Sequence, residues 1–437
     1  MRRGHSLWQR FILQRRDSSL THSGFDQIMN SALSPTSMRG SNHVGMRQFN
    51  ERIVLQAIRH HGAIPKADLA RLTQLSTQTV GIIVGRLLDD GLLVKQARVR
   101  GKIGQPSVPL SLNPQGAFSV GIQVGRRNLE LLVADFCGQP VERLEVLYDY
   151  PNPDVLFQSI AHGLQTLQER MGEFWTRTVG VGLTAPLSLH KWADLIGGEA
   201  AQALARWETI DLSAEVQRLT DLPVVFSKDT TAACVAELLQ GQGRVVRSFL
   251  YVFVGTFIGG GLVLSGHIMN GERGNAGAIG SLPVGLAQFP SRSVGPDTPL
   301  QLLQTASGWQ LEQALIAAGH NPLLIHQDGI MDAAYDAFTG PWITNASQAL
   351  AMTVASSSAL LDLDAVVMDG SLGAPLMTAL MSATQAALSG YRFDGMHQPL
   401  LLTGQVGAHA RALGGALLPL HSQFFPDKDI FLKQDAV

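Results

Sequence analysis

Two stretches of the chain share one pattern, and this repeat limits the possible folds more than any other feature. Apolar runs at Phe118 to Val124 and Leu129 to Ala134 flank a glycine turn, and a third run covers Val141 to Tyr148. The pattern recurs at Phe249 to Val254, with a glycine-rich turn before Gly261 to Leu264. Such runs are typical of buried strands. We therefore expect a duplicated α/β body with two lobes, and small ligands usually bind in the cleft between lobes.

The 437 residues exceed what one hydrophobic core usually serves, so a small domain is expected besides the two-lobed body. We predict a tail over residues 1–45, a small module over 46–112 and the body over 113–437. The tail is rich in Arg and Ser and contains Met38 and Met46 as later starts. We expect it to be disordered or to reflect an over-long gene start, and a transit peptide is the alternative.

Charge is divided unevenly along the chain. Residues 1–110 hold 16 Lys and Arg against 6 Asp and Glu, whereas residues 111–437 hold 17 against 29. The two parts therefore differ in sign, at +10 and −12. A basic domain on an acidic body indicates that the front end meets a polyanion, with nucleic acid as the first candidate. Ordinary charge scatter is the alternative.

Cysteine content and hydropathy indicate a cytoplasmic protein without metal or cofactor. Cys137 and Cys234 are the two cysteines, each within an apolar run, so they build neither a disulfide framework nor a cysteine zinc site. The stretch from Phe249 to Met269 is long enough to span a bilayer. Its break at Gly259 to Gly261 favours two buried strands instead, and no membrane association is expected.

The basic module is predicted to contain three helices and a two-stranded wing. The first helix runs from Glu51 to about His60, and a second follows Pro65 with Leu69, Ala70 and Leu72 turned inward. Ser76 or Thr77 caps the third helix, which runs to Asp90 and ends at Gly91. Strands at 92–94 and 108–112 then enclose a basic, glycine-rich loop.

The third helix has an apolar face and a polar face, because each residue advances about 100° around the axis. Its core stripe consists of Val80, Ile83, Val84, Leu87 and Leu88. The opposite face offers an amide for adenine, a guanidinium for guanine or phosphate, and methyl groups for thymine. An exposed hairpin on a plain helical bundle is the alternative. The predicted DNA contacts are Lys66, Thr77, Gln78, Thr79, Ile82, Arg86, Arg98, Arg100 and Lys102.

The motifs of the module resemble those of ROK-family regulators. They comprise 67–70, 75–80, 87–92 and Gly104-Gln105-Pro106 before 111–114, where Gln105 stands in place of the family's usual arginine. Most of residues 118–420 resemble the sugar kinases of the same family. The resemblance implies an α/β chain with an N-terminal winged helix-turn-helix followed by a two-lobed actin-like, ribonuclease H-like ATPase fold.

The resemblance also implies positions for the family's binding sites. Residues 121–128 and 255–261 would be the two phosphate loops, and 227–233 the sugar-site motif, with Asp229 at the position of the catalytic base. The segments 363–370 and 411–418 would flank the adenosine site. Glu and His of the family's sugar pocket correspond to Ala278 and Ser281, and its asparagine corresponds to Lys228.

Departures from the kinase pattern predict that the chain is not an enzyme and has no catalytic residue. Gln123 replaces the aspartate that helps organise magnesium, and Arg126, Arg127 and Phe257 replace small residues of the phosphate loops. Lys228 beside Asp229 either recognises an acidic or phosphorylated ligand or forms a simple ion pair. The predicted effector contacts are Lys228, Asp229, Gly259, Gly260, Ala278 and Ser281.

These features together predict a transcriptional regulator, expected to be a repressor, of carbohydrate uptake or metabolism genes. Its partners would be double-stranded operator DNA and a small sugar, amino sugar or sugar-phosphate effector. A homodimer or homotetramer is expected, because one short recognition helix seldom supplies enough specificity. The alternatives are a ROK-type sugar kinase with an appended DNA-binding domain, and a regulator that responds to a protein partner.

Overall fold

A computed structural model describes residues 43–98, 108–193, 198–286 and 299–426. Within these ranges the front of the chain forms the predicted winged helix-turn-helix. The wing residues Arg100 and Lys102 and the predicted tail up to residue 42 lie outside the described residues. The elements of the module are α1 (His43–His61), α2 (Lys66–Thr73), α3 (Thr77–Asp89), β1 (Leu93–Lys95) and β2 (Leu110–Leu112).

Helix α1 begins at His43, eight residues before the predicted start at Glu51 and three before the predicted module boundary. Its early turns carry no continuous apolar stripe that would have revealed them. They are held by tertiary contact instead, because Met46 and Asn50 share the lining of one groove with residues of α3. Local periodicity therefore underestimates this helix.

The turn between α2 and α3 agrees with prediction in its cap but not in one inward residue. Gln74 adopts a left-handed conformation with φ 57° and ends α2. The Ser76 hydroxyl accepts a hydrogen bond from the Thr79 amide at 3.1 Å, so Ser76 is the N-cap of α3. Leu72, predicted to face inward, is 47% exposed, because the eight-residue α2 buries Leu69 instead. The buried stripe of α3 is Val80, Ile83, Val84 and Leu87, and Leu88, which was also predicted for it, is half-buried.

The body contains two five-stranded sheets of the same design, in the orders β5-β4-β3-β6-β7 and β10-β9-β8-β13-β14. In each sheet the first two pairings are antiparallel and the last two parallel, which confirms the duplicated two-lobe architecture. A short antiparallel pair of strands, β11 with β12, comes between β10 and β13 in the chain. The strands are β3 (Phe118–Val124), β4 (Asn128–Asp135), β5 (Pro140–Leu147), β6 (Thr178–Ala185), β7 (Val224–Lys228), β8 (Phe249–Val254), β9 (Ile258–Leu264), β10 (His267–Met269), β11 (Pro283–Leu286), β12 (Pro299–Gln301), β13 (Ala365–Gly370) and β14 (Leu400–Thr403).

The helices of the body divide into two outer groups and a central pair. Apolar residues of the outer helices pack with each lobe's own sheet, and a third core joins the central pair to both sheets and to the winged helix-turn-helix. The first lobe carries α4 (Pro153–Met171), α5 (Gly198–Ala205) and α6 (Leu212–Gln217). The central pair is α7 (Asp229–Gln240) and α12 (Ala410–Phe424), and the second lobe carries α8 (Leu302–Ala306), α9 (Gly308–Ala317), α10 (Asp336–Leu361) and α11 (Ala374–Leu388). Neither α10 nor any other helix in the described ranges combines the length and apolarity needed to cross a membrane.

Strand β9 begins at Ile258, so Gly259 and Gly260 lie in the strand and not in the predicted turn. A Cβ atom on Gly260 would stand 2.5 Å from the Tyr251 carbonyl oxygen, and one on Gly259 would stand 2.7 Å from Thr230 of α7. The glycines are therefore required by close packing. The turn itself is formed by residues 255–257.

Helix α12 lies in backbone contact with the first sheet and with α7. A Cβ atom on Gly414 would come within 1.8 Å of the Ala232 carbonyl oxygen in α7. One on Gly182 of β6 would come equally close to the Gly415 carbonyl oxygen, and one on Gly121 of β3 would reach 2.0 Å from that of Ala412. Only hydrogen atoms fit between these backbones, so the position of α12 is fixed by the elements around it.

The winged helix-turn-helix is docked onto the body by two arginines of α1, of which Arg52 is buried and Arg59 is half-buried. Arg59 donates a hydrogen bond to the Phe136 carbonyl oxygen at 3.0 Å, and its guanidinium lies 4.5 Å from the centre of the Phe425 ring. Arg52 donates to the Phe425 carbonyl oxygen at 3.0 Å. Burial lowers the pKa of Arg59 to about 10, which leaves it charged at neutral pH. Both charges thus face the body and not a polyanion.

We predict that Gly414→Ala lowers the free energy of unfolding by roughly 1–3 kcal/mol or more, because the added methyl group overpacks the contact between α12 and α7. Gly81→Ala is the matched control, since Gly81 lies inside α3 with open space around its Cβ position. Alanine there should be neutral or slightly stabilising. Urea-induced unfolding of both variants measures this, and equal midpoints would refute the proposed close contact.

Candidate nucleic-acid interface and ligand cleft

The outward face of α3 is available for a partner, as predicted from its periodicity. Thr77 and Gln78 are exposed, and the Ile82 side chain is 55% exposed despite being apolar. Thr79 is half-buried, and its hydroxyl lies 2.8 Å from that of Ser76, so it takes part in the helix cap. Gln78 and Ile82, four residues apart, form one strip on this face.

Arg86 is less free than the sequence indicates. Its Nη1 atom lies 2.6 Å from Oε1 of Glu51 in α1, and the arginine side chain is 33% exposed. Burial raises the pKa of Glu51, and the nearby charges of Arg86 and Arg47 oppose that shift. One edge of the guanidinium is therefore held within the module, while the group has five N–H donors in all.

A groove of about 300 Å³ runs between α1 and α3 beside this face. It adds Arg47 and Asn50 to the candidate surface, two residues that the sequence prediction missed because α1 was expected to start after them. Arg47 precedes Glu51 by four residues, a helical spacing that indicates the pair once the helix is known to extend so far. The groove is lined by Met46, Arg47, Asn50, Thr79, Ile82, Ile83 and Arg86.

The remaining predicted DNA contacts lie outside α3. Lys66 is exposed at the first position of α2, and Arg98 is exposed just after β1. The positions predicted at Arg100 and Lys102 belong to the undescribed part of the wing. The strands of the wing pair in antiparallel register, with Leu93 opposite Leu112.

The predicted effector residues Lys228 and Asp229 occupy the junction of β7 and α7. Asp229 is buried, and its Oδ2 atom lies 3.8 Å from Nη1 of Arg411 in α12. Burial raises the pKa of Asp229, and the charge of Arg411 opposes this. Lys228 donates a hydrogen bond from Nζ to Oδ1 of Asn275 at 3.3 Å. Asp229 thus forms its ion pair with Arg411, whereas Lys228 forms a hydrogen bond with a loop of the second lobe.

Of the other predicted effector residues, Gly259 and Gly260 lie in β9, and Ala278 and Ser281 lie before and after Ile279. Gly259 and Gly260 are covered by the chain itself, since the Thr230 hydroxyl donates to the Gly260 carbonyl oxygen at 3.0 Å. Ala278 and Ser281 are exposed, whereas Ile279 between them is buried against Gly260. The two glycines are therefore packed within the chain, whereas Ala278 and Ser281 are exposed.

Side chains occupy the two loops that correspond to phosphate loops. Phe257 stacks 5.5 Å from the Trp192 ring of the first lobe and lies 5.8 Å from the Trp309 ring of the second. Arg126 lies over Trp309 at 4.7 Å from the ring centre. Gln123 is fully buried. This row of rings and cations links the two lobes.

The segment at the end of β13 is also filled by a carboxylate. Oδ2 of Asp369 accepts hydrogen bonds from the Tyr251 hydroxyl and the Gly407 amide, each at 3.0 Å. A Cβ atom on Gly404 would lie 2.6 Å from the Asp369 side chain. Burial raises the pKa of Asp369, and hydrogen bonds from Gly370, Tyr251 and Gly407 oppose it. Within the described residues, no cluster of three or more His, Cys, Asp and Glu could hold a metal ion.

Comparison with known proteins identifies one family. The profile described as "ROK family" matches residues 119–421. A putative xylose repressor of Caldicellulosiruptor sp. (strain Rt8B.4) is 24% identical over 244 residues, which are 56% of this chain and 60% of the repressor. The match thus spans only about three fifths of that relative's length.

Two solved structures share the fold. The crystal structure of a ROK family transcriptional regulator, a homologue of the E. coli MLC protein, matches with a TM-score of 0.64 and 20% identity, covering 87% of this chain and 98% of that one. A putative N-acetylmannosamine kinase from Listeria monocytogenes matches with a TM-score of 0.53 and 19% identity, covering 70% and 99%. This regulator and this kinase therefore share the fold of the body, and the match to the regulator covers more of the chain.

We predict that Asp369→Asn reduces the loss of stability as the pH rises. Because the native pKa of Asp369 is raised, the native state keeps a proton that the unfolded chain loses near pH 4, and stability falls from there up to the raised pKa. Thermal unfolding from about pH 4 to pH 7 should show a smaller fall in Tm for Asp369→Asn than for the wild type.

The control is Asp154→Asn, because a hydrogen bond from Arg206 lowers the pKa of this exposed carboxyl. Its contribution is present above the unfolded pKa and is lost as the pH falls below about 4, so from pH 4 to pH 7 the Tm of this variant should run parallel to that of the wild type. Parallel Tm curves for Asp369→Asn and the wild type would contradict the assignment.

Proposed function

Because this chain belongs to the ROK family, we propose that it is a DNA-binding transcriptional repressor of carbohydrate uptake or metabolism genes, controlled by a small sugar-like effector bound between its lobes. The observation that carries the proposal is the capped helix α3, with its exposed strip of Gln78 and Ile82 beside the basic groove. The repressor among its relatives supports the same function.

In this proposal α3 enters the major groove of a duplex. The amide of Gln78 pairs with adenine, and the Ile82 side chain contacts a thymine methyl group. Arg47, Lys66 and Arg98 neutralise phosphates around the groove, which makes affinity strongly dependent on salt. The wing residues Arg100 and Lys102 extend these backbone contacts, and Arg86 contacts phosphate or guanine with the donors that Glu51 leaves.

The proposed repressor acts in the cytoplasm as a homodimer or homotetramer. A single short recognition helix reads few base pairs, so two copies spaced by about one turn of DNA are needed for a specific operator. A change in the spacing of the two modules then changes affinity for both half-sites at once.

Helix α12 provides the connection between effector and DNA. At its start Arg411 lies beside Asp229 in the cleft, and at its end Phe424 packs edge-on against Phe136 with ring centres 4.8 Å apart. Phe425 contacts the half-buried Arg59 of α1. An effector that binds one arrangement of the lobes more tightly than another raises the population of the first. The position of the winged helix-turn-helix changes with the lobes, and the size of the shift is set by the difference in affinity.

A sugar kinase is the second candidate, favoured by the buried Asp229 at the position of the family's catalytic base. The neutral Gln123 supplies little charge for magnesium, and the bulky Phe257 leaves little room for phosphates to wrap against backbone amides. We therefore propose that the chain has no catalytic residue and needs no cofactor.

We predict that Gln78→Ala and Arg86→Ala each weaken specific operator binding by about 1–3 kcal/mol, because each removes a base or phosphate contact. Gln56→Ala is the matched control, since Gln56 is an exposed glutamine of the same module on α1. Glu51→Gln separates the two roles of Arg86, because it frees the guanidinium without removing it. Fluorescence anisotropy with a labelled operator measures all four, and unchanged affinity in both test variants would refute the assigned face.

We also predict no turnover in a coupled assay with ATP, magnesium and a panel of hexoses and amino sugars. The reason is the missing carboxylate at Gln123 together with the occupied loops. Asp229→Asn is the control, since any background activity should be the same with this variant. Turnover that Asp229→Asn abolishes would establish the kinase alternative instead.

A further inference from the structure

Two arginines of the first lobe hold one glutamate of the second. The turn between β3 and β4 carries Arg126 and Arg127, and α9 carries Glu312. Nη1 of Arg126 and Nη2 of Arg127 each lie 3.2 Å from Oε2 of Glu312. The Thr256 hydroxyl donates to Oε1 at 2.7 Å. Because the Glu312 side chain is 1% exposed, this contact is a buried latch between the lobes, which we call the Glu312 latch.

The Glu312 latch has more positive than negative charge. One carboxylate faces two guanidinium groups, and the charge of Arg127 adds to the desolvation that lowers the pKa of Arg126 to about 10. His326 lies close enough to sense Glu312, Arg127 and Arg411, and burial lowers its pKa, which favours its neutral form. Arg411 has its own carboxylate in Asp229. Among the described residues, one positive charge near the turn, on the half-buried Arg127, therefore has no carboxylate of its own.

Donors around the turn are also unused within the described residues. The Nε atoms of Arg126 and Arg127 are buried and have no hydrogen-bond partner there. The same holds for both amide atoms of Gln123, a fully buried side chain whose Nε2 lies beside Gly125 of the turn. Buried polar groups are normally paired, and a set left without partners indicates a missing ligand.

We propose that Arg126, Arg127 and Gln123 form a binding site for the oxyanion of a small effector, a phosphate or a carboxylate, and that Glu312 is the internal occupant which this anion displaces. Two adjacent guanidinium groups match the paired oxygens of such anions better than any other side chains do. The hydroxyl groups of a neutral sugar can accept from the Nε donors, but they leave the excess positive charge as it is.

Displacement of Glu312 would release the β3–β4 turn from α9 and so separate the lobes at this point. Anion binding and the latched arrangement exclude each other, which makes the site a control point for the cleft. The inference deepens the proposed effector function and rests on it. It replaces the Lys228–Asp229 junction with the Arg126–Arg127 turn as the principal anion contact.

Binding of anions to the full-length chain tests the proposal, measured by isothermal titration calorimetry at constant ionic strength without DNA. The probes are inorganic phosphate, glucose 6-phosphate, gluconate and glucose. We expect saturable binding of phosphate, and at least about tenfold tighter binding of glucose 6-phosphate or gluconate than of glucose. The tighter of these two shows whether the oxyanion is a phosphate or a carboxylate.

Three variants connect the binding to the Glu312 latch. Glu312→Gln removes the competing charge and should tighten phosphate binding about tenfold. Arg127→Gln should weaken it at least about tenfold, and it leaves the Arg126–Glu312 pair in place, so it remains informative if Glu312→Gln fails to fold. Arg206→Gln is the matched control, because Arg206 forms an exposed ion pair with Asp154 away from the turn, and should bind as the wild type does.

The proposal is overturned if Arg127→Gln binds phosphate as tightly as the wild type, or if glucose binds as tightly as the two anionic sugars. Promoter binding is measured separately with the same preparations. Loss of promoter binding in every variant together with Arg127-dependent phosphate binding would contradict the repressor function and leave the anion site standing. Promoter binding without Arg127-dependent phosphate binding would contradict the anion site and leave the repressor function standing.

Discussion

The architecture depends on one helix that has almost no freedom to move independently. Glycines at 121 and 182 in the first sheet, and at 414 and 415 in α12 itself, bring the backbone of α12 against β3, β6 and α7. The Ser119 hydroxyl of β3 donates to the Ala416 carbonyl oxygen, and Thr184 of β6 donates to that of Arg411 at 3.4 Å. A shift of the lobes must therefore either carry α12 with it or break these contacts.

The same helix ends where the winged helix-turn-helix is attached. Thirteen steps of an α-helix cover about 20 Å, the distance over which α12 joins Arg411 at the cleft to Phe424 at the module. Arg52 and Arg59 fasten α1 to this end through the Phe425 and Phe136 carbonyl oxygens. A rearrangement at the cleft thus has a continuous packed route to the winged helix-turn-helix.

The features that could be predicted from the sequence are those recorded in local periodicity. The duplicated strands and the faces of α3 follow from apolar spacing, because a residue's burial on a regular element repeats with the period of that element. The Ser76 cap and the stop at Gly91 follow from local backbone chemistry. The exposed Gln78 and Ile82 were found in this way.

The features that could not be predicted depend on residues far apart in the chain. Arg86 pairs with Glu51 across 35 positions, and Arg126 pairs with Glu312 across 186. No local pattern reveals such a partner, so Arg86 was expected to be free, and the arginines of the turn were recognised only as departures from a kinase loop. The start of β9 was misplaced for a related reason, since Gly259 is required by the approach of α7.

Under the proposed function, the outward side of α3 and the basic groove beside it bind duplex DNA. The most direct measurement is the affinity of the full chain for promoter fragments, including that of its own gene, over a series of salt concentrations. We expect log K to fall linearly with log salt, with a slope of about −0.9 for each phosphate contact, and we expect one fragment to bind well above the rest. Absence of any salt-dependent binding to all fragments would contradict it.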